Sequence, residues 1–343
     1  MDSVAARGDA DELSRFRRLV TFTIAATLAL ILIGGVVRVS DSGLGCGAEG
    51  SGTHGWPLCE GGLLPAGTSH SVVEFSHRMA ATIVVILIGL MLFRAFRRLR
   101  DRPLLVRGTV AAAVLVIGQA ALGGLTVEKG LEDELVAAHL GLAMLLLGLL
   151  FVLRRGAETT PAPAPETVRG LRPLSFITAA LVLATIVAGG YVAGTEYHGT
   201  GGEPYGGGAH AACGLGWSTD QFPGCNGQGP LSFGQSRLAD IQLTHRLLIY
   251  LTTISVIAMA ALALRRRAPS RAFWIAPLIL VGQIALGAIN IWAGEHAALI
   301  VGHLALGTTL WATVVYATAT LLPASAPARE RLVQPDAGEA VPA

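Results

Sequence analysis

Charge is the scarcest property of this sequence. Of its 343 residues only 14% are Asp, Glu, Lys or Arg, against about 25% in soluble domains. That shortfall excludes an ordinary water-soluble globule. Lysine is almost missing: Lys129 stands alone among 25 basic residues, a bias that points to a GC-rich bacterial genome. Aromatic residues make up 6%. The four cysteines form no C-x-x-C pair, which weighs against a thiolate metal site. The formal net charge is only +2, and the basic residues are spread along the chain rather than gathered into a patch. No nucleic-acid partner is expected.

What fills the space left by charge is apolar. Hydrophobic residues make up 52% of the chain and the mean hydropathy is +0.58. Eight runs, near 18–40, 72–94, 107–127, 135–153, 174–194, 240–264, 272–293 and 299–322, are long enough to cross a hydrocarbon core of about 30 Å. Lipid offers no partner for backbone N–H and C=O groups, so each run must be a helix. The first run follows Arg15, Arg17 and Arg18 and could pass for a signal peptide, but it lacks a clear small-residue cleavage site. Arginines crowd the second, fourth and sixth connections, for example Arg94–Arg107, Arg154–Arg172 and Arg265–Arg271, whereas Lys129 and Arg237 are the only basic residues in the odd-numbered ones. The positive-inside rule then predicts a multi-pass protein of a bacterial cytoplasmic membrane with both termini cytoplasmic.

All four cysteines fall on the other, oxidising side. Cys46 and Cys59 share the first external connection, and Cys213 and Cys225 share the third. One disulfide per loop, Cys46–Cys59 and Cys213–Cys225, is the economical reading, each worth about 3 kcal/mol in the chain-entropy model. Four cysteines allow three pairings, so this remains an expectation. The two loops, about 41–71 and 195–239, are long and Gly-rich. Loops of that length are functional lids or disordered. Trp56 and Trp217 are placed to seat them at the headgroups.

The chain also repeats itself. Residues 117–125 read IGQAALGGL and residues 281–289 read VGQIALGAI. At the same offset Ala138-His139-Leu140 matches Gly302-His303-Leu304. Phe75-Ser76-His77-Arg78 matches Leu243-Thr244-His245-Arg246, and Gly34-Gly35-Val36-Val37 matches Gly189-Gly190-Tyr191-Val192. The expected fold is an all-α integral membrane protein of eight transmembrane helices, arranged as two four-helix bundles related by a pseudo-two-fold along the membrane normal. The chain divides into a cytoplasmic N-terminal tail (1–17), a first half (18–153), a Pro-rich cytoplasmic linker (154–173), a second half (174–322) and a cytoplasmic C-terminal tail (323–343).

His77, His139, His245 and His303 sit on the second and fourth helices of each half, about one turn from the external end. Ionisable residues inside a membrane mark function by default. Any one of them could simply bond a neighbouring helix. Two pairs at one depth favour bis-histidine haem ligation, with Ala137, Ala138, Gly141 and Gly302 leaving room for a macrocycle. Zinc or copper would want further ligands. Arg78 and Arg246 follow histidines directly and either face haem propionates or snorkel to headgroups.

The halves differ at two positions. Glu74, one turn before His77, is replaced by Gln242, and Arg38 is replaced by Ala193. A partly desolvated carboxylate can relay protons, so the first half is expected to bind the reacting molecule and the second to hold a permanent haem. The bland alternative for Glu74 is an ion pair with Arg78.

The stretch Gly34-Gly35-Val36-Val37-Arg38-Val39-Ser40-Asp41-Ser42-Gly43-Leu44-Gly45-Cys46, followed by Trp56-Pro57-Leu58-Cys59-Glu60-Gly61 and Glu74-x-x-His77-Arg78, resembles the haem A synthase family over roughly 18–322. The resemblance implies oxidation of the C8 methyl of haem O to a formyl group, giving haem A for cytochrome c oxidase. It implies that His245 and His303 ligate a resident haem b, that His77 and His139 hold the substrate haem, that Glu74 is catalytic, and that the cysteine pairs are loop disulfides. Arg38 and Arg78 fall on the substrate side and Arg246 on the haem b side. Against the family's shorter spacing, residues 47–55 read as an insertion containing His54. His198 and His210 take no role and are expected in solvent. Expected partners are haem O, membrane lipid and an electron donor, with a haem O synthase and oxidase assembly factors as plausible protein contacts and homo-oligomerisation left open. The rival reading is a non-enzymatic b-type electron carrier or haem-handling membrane protein, which symmetric sites would favour. A transporter ranks third, because the helices lack obvious mid-membrane breaks.

Overall fold

The computed structural model describes residues 2–65, 67–160, 163–195, 208–268 and 270–324, with side chains from residue 9 onward. Among the described residues eight helices are long and apolar enough to cross a membrane. They are α1 (Asp2–Val39), α2 (Ser69–Arg98), α3 (Pro103–Glu128), α4 (Asp133–Gly156), α6 (Leu171–Gly194), α8 (Arg237–Arg265), α9 (Ala272–Trp292) and α10 (Ala297–Thr320). Two short helices, α5 (Pro165–Val168) and α7 (Gly208–Ala211), lie in the linker and the third connection.

Local chemistry sets the ends of these helices. Thr68 caps α2 by accepting from the N–H of Ser71 at 3.1 Å. Ser236 caps α8 the same way, accepting from Ala239 at 3.1 Å. Pro103 occupies the first turn of α3, where its missing N–H costs nothing. Both caps lie outside the apolar runs, so α2 and α8 reach about a turn further out than hydropathy alone suggests. As a result His77 and His245 lie eight residues into their helices rather than one turn; His139 and His303 lie six residues into α4 and α10, which also begin two residues before the apolar runs. The first helix also starts earlier: α1 continues through the segment read as a tail, burying Leu13 and Phe16.

Four helices form the centre. Helix α4 packs on α1, α6 and α10, and α10 also packs on α1 and α6. Helices α2 and α3 flank this group on one side, α8 and α9 on the other. The arginine-rich end is densely filled, with Met91, Leu105, Leu147, Leu150, Leu153 and Phe273 fully buried. Trp311 of α10 crosses between the halves: its Nε1 donates to the Met144 carbonyl of α4 at 2.8 Å, and its ring covers Gly148. Outward faces stay apolar, as at Phe22, Ile254 and Leu278, which suits contact with acyl chains.

Candidate active site

The disulfide-side half of the bundle is hollow. One cavity of about 620 Å³ runs between the central helices, and His77, His139, His245 and His303 all line it, together with Glu74, Arg38, Arg78, Gln119 and Gln283. The two histidine pairs therefore open onto one continuous space rather than two separate pockets.

Each imidazole is seated against a glycine of the preceding membrane-spanning helix. An ideal Cβ on Gly34 would lie 3.1 Å from His77 Cε1, and on Gly123 3.0 Å from His139 Cε1. The corresponding distances for Gly189 to His245 and Gly287 to His303 are 2.9 Å each. Side chains at these positions would push the rings off their seats. Sequence reasoning looked for room at Ala137, Ala138, Gly141 and Gly302 and missed these four glycines, although the repeats Gly34-Gly35/Gly189-Gly190 and Gly123/Gly287 contained the signal.

Hydrogen bonding separates the four rings. His245 Nδ1 lies 3.0 Å from the Thr185 carbonyl. A carbonyl only accepts, so Nδ1 carries the proton and Nε2 keeps its lone pair for a metal. His303 Nε2 lies 3.0 Å from Gln283 Nε2, whereas the equivalent Gln119 donates to the His139 carbonyl at 2.9 Å. The Nδ1 atoms of His77, His139 and His303 are buried without a hydrogen-bond partner. Buried imidazoles in pairs, with unused nitrogens and a cavity between them, suit axial ligation of a macrocyclic iron. Among the described residues no three His, Cys, Asp or Glu side chains converge as an ordinary metal site would require.

Glu74 is buried and uses both carboxylate oxygens. Oε2 accepts from the Cys46 N–H at 2.7 Å, and Oε1 pairs with Arg78. Arg78 also donates to the Leu58 carbonyl at 2.7 Å. The acid therefore makes the ion pair of the alternative reading and lines the cavity as well. In the second half Arg246 donates to the carbonyls of Gln221 and Gly224 and stacks on Phe222, 5.3 Å from the ring centre. It does not line the cavity. Its guanidinium grips the loop through these carbonyls and the aromatic face, as Arg78 grips the first loop through Leu58. Gln242, the counterpart of Glu74, is buried with Oε1 unpartnered.

The disulfides join Cys46 to Cys59 and Cys213 to Cys225. Both close the same turn. Trp56-Pro57-Leu58-Cys59-Glu60-Gly61 and Phe222-Pro223-Gly224-Cys225-Asn226-Gly227 each put two residues at positive φ after the cysteine, and each cysteine bridges to the third residue on. Asn and Gly accept that conformation readily; Glu60 is the less usual occupant. The two loops differ in length, but the turn held by each arginine is shared.

Arg38 reaches across the halves to the carbonyls of Ala193 and Gly194 at the end of α6, where a cation complements the helix dipole. Trp56 lies over Gly124 and forms part of the cavity wall, and Trp217 stacks on Trp292 with ring centres 5.4 Å apart. Residues 47–55 dock on α3: Gly50 N–H bonds the Glu128 carbonyl at 3.1 Å and Gly52 N–H its carboxylate at 2.9 Å. His54 is exposed. His210 was expected in solvent; instead it lines the cavity and lies 3.8 Å from the buried Glu295 carboxylate. His198 lies outside the described residues.

A family profile described as a cytochrome oxidase assembly protein, COX15-CtaA, matches residues 17–315. The chain belongs to that family. Similar curated proteins include the heme A synthase of Shouchella clausii, 29% identical over 281 residues, covering 79% of this chain and 85% of the relative. That of Exiguobacterium sibiricum is 26% identical over 314 residues, covering 89% and 94%. That of Halalkalibacterium halodurans is 24% identical over 308 residues, covering 86% and 93%. Family membership spans both histidine pairs, Glu74 and all four cysteines.

Proposed function

We propose that this chain is a haem A synthase: a multi-pass membrane oxidoreductase that converts the C8 methyl of haem O to a formyl group. Belonging to the family and resembling the named relatives along most of their length support the activity. The observation that carries the site assignment is the half-specific pair Glu74 and Arg38, which lines the shared cavity where the second half has Gln242 and Ala193. A carrier with equivalent sites has no use for that difference.

In this reading His77 and His139 hold the substrate haem, and His245 and His303 ligate a resident haem b. The resident group supplies reversible one-electron redox chemistry when bound. The remaining work falls to the chain. Glu74 sits one turn from His77 and accepts or passes protons at the mouth of the substrate side. Arg38 and Arg78 present cations to substrate propionates. Trp56, with its loop fixed by the Cys46–Cys59 bridge, covers the cavity and keeps water from it. The two halves are related by a pseudo-two-fold, and the arginine-rich side with both termini faces the cytoplasm.

Two variants of the full chain purified in detergent test this assignment. His303→Ala should abolish the low-spin haem b spectrum. His77→Ala should keep that spectrum and lose conversion of added haem O. Equal loss of haem b in both variants would contradict the division of roles.

A further inference from the structure

The two halves hold their first histidine differently: His245 Nδ1 has a hydrogen-bond partner and His77 Nδ1 has none. Thr185 of α6 offers its carbonyl to His245 Nδ1 at 3.0 Å. The side chain of the same residue pairs with Thr252 of α8, Oγ1 to Oγ1, at 2.8 Å. Thr185 Oγ1 donates its own hydrogen to the Leu181 carbonyl at 2.8 Å, so the shared hydrogen comes from Thr252. Thr252 follows His245 by two helical turns and lies on the same face of α8. Two turns further along α6, Thr178 pairs with Ser255 at 2.7 Å, a second tie between the same helices. At the equivalent positions the first half has Leu30 and Val84, and Thr23 and Leu87. Leu30 and Val84 carry no hydroxyl and cannot pair in this way, while Thr23 donates instead to Met91 Sδ of α2 at 3.4 Å. His77 Nδ1 is buried without a hydrogen-bond partner.

We infer that Thr185 and Thr252 are positioning residues: their hydroxyl pair holds the Thr185 carbonyl against His245, fixes Nε2 as the iron-facing nitrogen, and makes the second half the site that retains its haem. The first half, with Leu30 and Val84 in their place, leaves His77 unfixed and lets its haem exchange. A hydrogen bond to the far nitrogen of a ligating imidazole sets its tautomer and raises its basicity, and such partners typically change metal affinity by about 10–100-fold. This inference rests on the two-site reading above and says which feature separates a resident group from a passing one.

The test uses the full chain carrying His77→Ala, so that bound haem reports the second half alone. Haem b release to excess apomyoglobin and the midpoint potential are measured before and after Thr252→Val, with Thr252→Ser as the conservative control. Thr252→Val should release haem at least about tenfold faster and raise the potential, because the imidazole loses donor strength. Thr252→Ser should behave as the parent. A purely structural role would leave the potential unmoved. Unchanged release and potential in Thr252→Val would overturn the inference. A His77→Ala parent with no low-spin haem spectrum would refute the two-site reading itself, before any threonine is changed.

Discussion

Glu74 does two jobs with one carboxylate. It ties the first loop to α2 through the Cys46 N–H, and it borders the cavity beside His77. Glu74→Gln keeps an oxygen for Cys46 but removes the charge that Arg78 faces. Positioned general acid–base groups typically contribute about 10²–10⁴-fold. Haem A formation should therefore fall about 100-fold or more in Glu74→Gln while the haem b spectrum of the second half stays the same; turnover at the parent rate would remove Glu74 from catalysis. The histidine seats give a second contrast. Alanine in place of a helical glycine favours the helix by about 1 kcal/mol, but the new Cβ would crowd an imidazole. At Gly34 the distance to His77 is 3.1 Å, and that ring is not pinned through Nδ1. At Gly189 it is 2.9 Å, and His245 is pinned to Thr185. Gly34→Ala should be nearly neutral for haem content, and Gly189→Ala should lower haem b per polypeptide several-fold, as measured by pyridine haemochrome. Equal tolerance at both glycines would count against fixed seating of His245. The sequence made the histidines visible because four of them recur at fixed offsets. It hid their glycine seats, because glycine is abundant here, with 43 in the chain, and only a packed structure shows which of them a ring touches.

At the scale of elements, the apolar periodicity and length of the runs made every spanning helix readable, since lipid permits no alternative to a helix. The ends were less readable. Capping by Thr68 and Ser236 extends α2 and α8 through polar residues that hydropathy discounts. The external loops hid more. Their common turn is carried by six residues in each loop, set among unrelated glycine-rich sequence, so it does not stand out in the sequence. Each turn is held by a disulfide and by the arginine that follows a cavity histidine. Closing a loop of 12 or 13 residues contributes about 3 kcal/mol in the chain-entropy model. Cys213→Ser with Cys225→Ser should lower the thermal midpoint of the purified protein and loosen the cap over the second half, read as faster hydrogen exchange at residues 213–228. Exchange there as slow as in the parent would show that the Arg246 grip suffices without the bridge. Arg246→Lys, which cannot reach several carbonyls from a planar fork, should loosen the same segment in the same assay. The direction in which Arg246 points could not be read from sequence, because its acceptors are backbone carbonyls more than twenty residues away.

The whole molecule is a hollow bundle, with a largely apolar cavity toward the disulfide side and a filled core at the arginine-rich side. Helices α1, α4, α6 and α10 join the halves, and all four histidines open onto one cavity among them. The sequence pointed to two copies with one site each. It could not show that the sites share a wall, since that depends on how α4 and α10 pack. It also could not show that His210 of the third loop reaches the same space, beside the buried Glu295 of the α9–α10 turn. A shared cavity suits an enzyme that passes electrons between a resident group and a substrate, and it gives the central claim a direct test. Membranes are prepared from a cell that makes haem O and lacks its own haem A synthase, with and without this chain, and the extracted haems are separated. The account predicts haem A only where the chain is present, at the expense of haem O, and its loss with Glu74→Gln. Haem O that stays unconverted beside well-expressed, haem b-loaded protein would contradict it.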